Sequence, residues 1–275
     1  MLDMVTEMLS FTFMQRAIIV GLLVSLCAAL LGVNLVLKRY AMIGTGLSHV
    51  GFAAMAVAGV IDVAPLAVSL PIVVAAAFLL LRLNESSKIN GDSAVALIST
   101  SGLAIGVIIV SKTTGLTLHV CNVMFGSIFA MTRADMYLSI VLSVVVIGIF
   151  VLFYKQLFAV TYDESFAKAT GVKVEIYKSI LAILTAVTVV LGMRMMGALL
   201  IASLTLFPAL SAMRVCKRFL SVVIAAAAVG IVCFFAGMLI SFRMDLPPGA
   251  SVVGVNLAVF ILFSIIGLVK GRGLA

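Results

Sequence analysis

Long apolar runs constrain the fold of this chain more than any other feature of its sequence. A helix needs about 20 apolar residues to cross a bilayer, and in lipid only helices and closed barrels satisfy their own backbone hydrogen bonds. The runs lie at residues 13–37, 42–60, 64–81, 93–110, 136–154, 179–193, 197–213, 219–241 and 250–269. The sequence therefore predicts an all-α, polytopic bundle of membrane-spanning helices.

The boundary between the sixth and seventh runs leaves the number of spans open. Gly192, Arg194 and Gly197 interrupt the apolar residues there. Glycine weakens a helix, and a charged side chain at membrane depth costs free energy. The two runs form either two spans or one broken helix, so we expect eight or nine spans in all.

The composition leaves no room for a large soluble domain. Of the 275 residues, 64% are hydrophobic and 10% are charged, whereas a soluble domain carries about 25% charged residues. We therefore expect residues 1–275 to form a single transmembrane domain. The net charge of +8 comes from Lys and Arg between the apolar runs, where such residues set topology, and we expect no nucleic-acid partner.

The basic residues also predict the orientation of the chain, because Lys and Arg concentrate in cytoplasmic loops. With the N-terminus outside and the C-terminus in the cytosol, most of the 18 Lys and Arg residues fall on the cytosolic side. The exceptions, outside or near the outer edge, are Arg16, Lys112, Arg133, Arg194 and Arg243.

A short polar segment, residues 44–49 (GTGLSH), interrupts the second run. On a helix, Thr45, Ser48 and His49 share one face because they are three and four residues apart. An ionisable residue at membrane depth marks a transport path by default, and neutral imidazole is a good ligand for Zn, Cu, Fe or Ni. We expect either that His49 lies on a translocation path with Thr45 and Ser48, or that it bonds a neighbouring helix for packing.

The segment between the fifth and sixth runs is the longest that we place in the cytosol. Thr161 and Glu164 match the capping box that begins a helix, and Gly171 is a natural stop. This pattern predicts a short helix with Phe166 and Ala169 on one side. Because so short a helix is not stable alone in water, we expect it to pack on a partner or on the end of the bundle.

A second polar stretch, at 112–135, is predicted to lie outside. His119 and Cys121 are two residues apart in it and together offer two ligands to a soft metal ion. We consider His119 a second residue for metal contact, although two ligands at this spacing are a weak signal by themselves.

Two further patterns concern packing between helices. Gly102 and Gly106 are four residues apart, a spacing that lets two membrane helices approach closely. Asn34 and Asn256 lie inside apolar runs, where we expect them to form hydrogen bonds between helices.

Motifs of enzymes and of nucleotide binding are absent from the sequence. It contains no P-loop, no G-x-G-x-x-G after a strand, no H-E-x-x-H and no G-x-S-x-G elbow with partners. Its acidic residues lie mostly in loops, whereas a proton-coupled carrier is expected to hold a carboxylate at membrane depth. We therefore predict a protein that is not an enzyme, and a stand-alone secondary carrier stays open as one alternative.

An ordered set of short stretches resembles the permease subunits of bacterial ABC importers for zinc, manganese or iron, and the resemblance covers nearly the whole chain. The stretches are 35–49 (LVLKRYAMIGTGLSH), 91–94 (GDSA), 104–106 (AIG), 125–128 (FGSI), 162–171 (YDESFAKATG), 197–200 (GALL), 207–209 (FPA) and 248–252 (PGASV).

The resemblance implies a bacterial cell-membrane protein that works in a complex. Its partners would be a second permease copy or paralogue, two cytosolic ATPase subunits and an external metal-binding delivery protein. His49 would line the path between the permeases, and the chain would bind no cofactor. The coupling segment, residues 155–178, would dock in the ATPase through Asp163, Glu164, Phe166, Ala167, Ala169 and Gly171.

One departure from the family's pattern bears on the cargo. Thr45 stands where the family usually has an aspartate, and a carboxylate suits manganese while imidazole suits zinc and iron. We therefore expect a divalent transition metal, zinc first and manganese or iron next. A metal chelate is the alternative cargo, and it would need a wider cavity that Gly44, Gly46 and Gly51 would line.

Overall fold

The structure, a computed structural model, describes residues 10–85, 91–112 and 133–269, and this part of the chain contains helices and no strands. We number the helices in chain order. They are α1 (Thr12–Leu37), α2 (Ile43–Val60), α3 (Pro65–Glu85), α4 (Gly91–Lys112), α5 (Arg133–Leu152), α6 (Tyr154–Tyr162), α7 (Glu164–Ala169), α8 (Val174–Met196), α9 (Ala198–Val215), α10 (Phe219–Met244) and α11 (Pro248–Val269).

Nine helices within the described residues are long and apolar enough to cross a membrane, which confirms the all-α bundle. The sixth and seventh runs form two separate helices, because Gly197 adopts φ 88° and ψ 158° between α8 and α9. A Cβ at Gly192 of α8 would lie 2.4 Å from Cδ1 of Ile201, so α9 folds back along α8. The described residues therefore contain nine candidate spans, and α8 begins at Val174, five residues before the predicted span.

Two polar contacts identify the opposite ends of the bundle. Arg194 near the end of α8 pairs with Asp135 in the first turn of α5, with Nη2 and Oδ2 3.0 Å apart. Near the start of α8, Lys178 meets Glu164, which also binds Lys38 at the end of α1. The side of the membrane on which each end lies stays a prediction.

The glycine pair of α4 packs where the sequence predicted a close approach. A Cβ at Gly102 would lie 3.0 Å from the backbone nitrogen of Val50, and one at Gly106 would lie 2.6 Å from the ring of Phe52. Helices α2 and α4 therefore pack almost backbone to backbone. This contact fixes the face of α2 that carries the polar segment.

The two buried asparagines differ from each other. Asn34 of α1 accepts a hydrogen bond from the Thr161 hydroxyl of α6 at 3.1 Å, so it links two helices as predicted. Asn256 donates to the carbonyl of Val252 in its own helix. The prediction that it bonds another helix is wrong for the described residues, since its amide nitrogen bonds its own helix and its buried Oδ1 has no hydrogen-bond partner there.

The coupling segment contains two short helices, α6 and α7, and the capping-box prediction for it is wrong. Thr161 lies inside α6, and the cap of α7 is Asp163, whose carboxylate accepts from the amide of Phe166 at 3.0 Å. The Glu164 side chain does not bond the backbone amide of the cap residue, because its carboxylate is bound by Lys38 and Lys178. Gly171 ends α7 as predicted, at φ 83°, with its amide bonded to the carbonyl of Lys168.

Candidate functional site

The polar segment begins helix α2 directly after a tight turn. Arg39 adopts φ 62° in this turn, and the amide of Tyr40 donates to the carbonyl of Leu35 at 2.8 Å. The amide of Ile43 then donates to the carbonyl of Tyr40 at 3.0 Å. The start of α2 is thus tied through a few hydrogen-bonded residues to the end of α1.

Glycines in and beside the polar segment press it against neighbouring helices. A Cβ at Gly44 would lie 3.0 Å from Oγ1 of Thr205, and one at Gly46 would lie 3.0 Å from a methyl group of Val95. A Cβ at Gly51 would lie 2.5 Å from the Met193 methyl carbon. These glycines serve close packing within this chain, so the expectation that they line a wide cavity is not supported.

His49 makes a short contact with a neighbouring helix. Its Nδ1 lies 2.7 Å from the hydroxyl oxygen of Ser99 on α4, and the ring is half-buried. Among the described residues this is the ring's only hydrogen bond, which leaves Nε2 for a ligand. A metal at Nε2 selects the tautomer in which Nδ1–H donates to Ser99, the arrangement in which a second residue fixes a metal-binding imidazole.

Ser99 was missed by the sequence analysis because it is 50 positions away from His49. The signal that was available is the run of three hydroxyl residues at 99–101, inside an otherwise apolar span. Polar residues in membrane helices bond across helices or line paths. This run of hydroxyl residues therefore indicates a contact between helices or a path, just as the polar segment does.

Thr45 and Ser48 differ in what they can offer to a passing ion. Thr45 is half-buried, one turn before His49. Ser48 is 1% exposed, and its hydroxyl donates to the backbone carbonyl of Thr45 at 2.8 Å. The Ser48 hydroxyl is thus already used within the helix, and its place on a path stays a prediction.

The described residues do not assemble a closed metal site. Nowhere in 10–85, 91–112 or 133–269 do three His, Cys, Asp or Glu side chains come together to hold a metal ion. His49 contributes one imidazole, and Thr45 a hydroxyl one turn away. Such a sparse donor set suits brief contact with an ion rather than storage. His119 and Cys121 lie outside the described residues.

Helix α7, at the Lys38 end of the bundle, is the second candidate site. Ala167 is its buried side chain and packs with Val160 of α6 and Val174 of α8. Phe166, by contrast, is 63% exposed, and Ala169 is exposed as well. The helix therefore presents an apolar outer side, as the sequence predicted.

An ion bridge fixes α7 to the bundle. Lys38 donates from Nζ to Oε1 of Glu164 at 2.7 Å, and Nζ of Lys178 lies 2.7 Å from Oε2. Burial lowers the pKa of Lys38, an effect that Glu164 opposes. Burial alone would raise the pKa of Glu164, but hydrogen bonds and charge from the two lysines hold it below the usual value. The carboxylate is therefore ionised and shared.

Comparison with protein families gives one match over nearly the whole chain. A model of the ABC 3 transport family matches residues 10–267.

Two relatives illustrate the similarity in sequence. The chain is 25% identical over 256 residues to the manganese transport system membrane protein MntC of Halalkalibacterium halodurans, covering 93% of this chain and 88% of that protein. It is 29% identical over 269 residues to a probable iron transport system membrane protein of Haemophilus influenzae, covering 95% and 96%.

Two solved structures share the fold. PsaBC from Streptococcus pneumoniae in complex with Fab superposes with a TM-score of 0.85 at 23% identity, covering 95% of this chain and 94% of that chain. An inward-facing conformation of a putative metal-chelate type ABC transporter gives a TM-score of 0.77 at 15% identity, covering 92% and 86%. At these identities the likeness establishes the fold alone.

Proposed function

The chain belongs to the ABC 3 transport family, and from this premise we propose that it is the permease subunit of an ATP-driven importer for divalent transition metals. It acts in the bacterial cell membrane as one transmembrane domain, residues 1–275. It is not an enzyme, because ATP is hydrolysed by a partner subunit. Relatives named for manganese and iron transport support this class of cargo.

The observation that carries the proposal is the contact between His49 and Ser99. An ionisable side chain in a membrane span is costly unless it faces protein or water. Here one ring nitrogen of His49 lies 2.7 Å from Ser99, and the other forms no hydrogen bond within the described residues. A metal ion passing along α2 and α4 is bound briefly by Nε2 of His49, with water and the Thr45 hydroxyl completing its shell. Weak binding suits a path that must release its cargo.

A second copy of the permease, or a paralogue, completes the path. In the part of the chain that the structure describes, His49 is the one imidazole, and no group of three His, Cys, Asp or Glu side chains forms around it. Two copies facing each other bring two imidazoles to a common seam, which is a better set of ligands for a divalent ion. An external binding protein delivers the metal, and two ATPase subunits dock at α7.

The outer side of α7 is the ATPase contact. Phe166, Ala169 and the neighbouring Tyr162 are exposed there, and exposed aromatic side chains next to a rigid helix suit a protein partner. Asp163 and Gly171 define the two ends of this helix, while Ala167 seats it on the bundle.

Among metals, zinc is the cargo that the polar segment favours, followed by iron and manganese. Thr45 supplies no carboxylate, and imidazole prefers zinc and iron to manganese. A chelate remains the alternative cargo, favoured by the fold shared with a putative metal-chelate type transporter. Competition for uptake between free metal and its chelate separates these two cargoes.

The test is metal uptake into proteoliposomes that contain this chain with its ATPase, supplied with the delivery protein. We expect uptake of radioactive zinc that requires hydrolysable ATP and falls when unlabelled zinc competes, with manganese competing less. Uptake by this chain alone, driven by a proton or sodium gradient, would contradict the proposal and favour a secondary carrier.

A further inference from the structure

Glu164 joins three helices at one end of the bundle. Each of its carboxylate oxygens lies 2.7 Å from a lysine nitrogen, Oε1 from Lys38 and Oε2 from Lys178. Lys38 directly follows the end of α1, and Lys178 lies in the second turn of α8. One side chain of α7 thus holds both of the long helices that border it.

Lys38 depends on this carboxylate more than Lys178 does, because Lys178 also lies 3.9 Å from Glu175. The Lys38 side chain is 5% exposed and that of Lys178 is 10% exposed, while Glu164 is 43% exposed. A buried charge that loses its partner is strongly unfavourable, and two neighbouring ammonium groups also repel each other. The pairing is therefore stronger than that of ordinary surface ions, although partial exposure of Glu164 screens part of it.

Helix α7 has an attachment of its own that does not use these charges. Ala167 is fully buried among Val160 and Val174, and Asp163 caps the helix from within the segment. Loss of the carboxylate therefore leaves α7 seated on α6 and α8. What it removes is the connection to Lys38 and α1.

Lys38 is close in the chain to the polar segment. Only the turn at residues 39–42 separates it from α2, and hydrogen bonds from Tyr40 to Leu35 and from Ile43 to Tyr40 hold this turn. A displacement of Lys38 would therefore pass through this turn to the first residues of α2. Thr45 lies in that first turn, and His49 one turn later.

We propose that Glu164 is a positioning residue that transmits movement of α7 to the start of α2, and so links ATP hydrolysis to the path at His49. This inference rests on the proposed function. When the ATPase shifts α7, the bridge pulls Lys38 and the turn that follows it. Without the bridge, α7 still moves with the ATPase, but the polar segment does not follow.

The test measures metal moved per ATP hydrolysed by the full complex in proteoliposomes. Glu164→Gln keeps the size and removes the charge, and we expect the ratio to fall at least about fivefold, the low end of a coupling between sites. Glu175→Gln is the matched control, because Glu175 is 65% exposed and 3.9 Å from Lys178. We expect that control to keep the wild-type ratio.

A second variant excludes a simple effect on folding. Lys38→Met together with Glu164→Gln removes the bridge without leaving Lys38 as an unpaired buried cation. We expect the double variant to assemble like the wild type and still to show the lowered ratio.

The outcomes separate this inference from the proposed function. A wild-type complex without ATP-dependent metal uptake would overturn both. Normal wild-type uptake, with an unchanged ratio in Glu164→Gln and in the double variant, would overturn the inference alone. Dissociation of the ATPase from Glu164→Gln would also overturn it, since Glu164 would then serve docking.

Discussion

The polar segment of α2 and helix α7 are both short polar stretches, yet different forces hold them in place. Glycines let the polar segment pack closely against α4 and α9, because a Cβ at Gly44 or Gly46 would lie 3.0 Å from a neighbouring atom, tighter than most Cβ contacts. The Ser48 hydroxyl of the segment is satisfied within the helix. Helix α7 is held by one buried alanine, a capping carboxylate and the Glu164 bridge. Packing fixes the first region, whereas the second combines one packed side chain with a carboxylate cap and an ion bridge.

This difference suits the two tasks that we propose. A path for an ion needs a rigid wall with few fixed charges, because a strong site would trap its cargo. A coupling element must receive motion from a partner and pass it on, and ion pairs at the end of the bundle can shift as a unit. The path region should therefore be sensitive to added volume, and the coupling region to changes of charge and capping.

The largest expected effect on stability is at the contact between α2 and α4. Gly102→Leu places a side chain where even a Cβ would lie 3.2 Å from the carbonyl carbon of His49. Overpacking of this kind costs about 1–3 kcal/mol or more. We expect a clear fall in the melting temperature of the purified complex, measured by fluorescence-detected chromatography after heating.

The matched control for that substitution is Gly148→Leu in α5. No heavy atom lies within 4 Å of a Cβ at Gly148, so we expect no loss of stability there. Equal melting temperatures for the two variants would contradict the claim that the contact between α2 and α4 is packed more tightly than the surroundings of Gly148.

A smaller effect is expected at the cap of α7. Asp163→Ala removes the acceptor for the Phe166 amide, and loss of such a cap costs about 1 kcal/mol. We expect faster hydrogen exchange at residues 164–169 with an unchanged melting temperature of the complex.

Thr161→Val is the matched control for Asp163→Ala. Its hydroxyl bonds Asn34 rather than α7, so exchange at residues 164–169 should stay at the wild-type rate. Faster exchange at residues 164–169 in Thr161→Val, and not in Asp163→Ala, would contradict Asp163 as the cap of α7 and support the capping box predicted from the sequence.

The sequence predicted what depends on local composition and spacing. Apolar runs predicted the helices, Gly102 and Gly106 predicted that α4 packs closely on another helix, and Gly171 predicted the end of α7. These features arise from a few neighbouring residues, whose physical preferences are strong enough to be seen without the fold.

The sequence could not reveal contacts between distant positions. Ser99 reaches His49 across 50 positions, and Lys38 reaches Glu164 across 126. The cap of α7 was misassigned for the same reason. Glu164 fits a capping box by its spacing. The lysines that pair with its carboxylate, however, come near it only through the packing of α1 and α8.

The most direct test of the central claim is metal uptake by the assembled complex with His49 or Ser99 replaced. His49→Ala should nearly abolish ATP-dependent uptake. Ser99→Ala, which removes the group that orients the ring, should lower uptake about tenfold. The control is Ser251→Ala, because the Ser251 hydroxyl donates to the carbonyl of Pro247, the residue just before α11, at 3.1 Å. Normal uptake by His49→Ala, at normal assembly, would return His49 to a packing role and contradict the account.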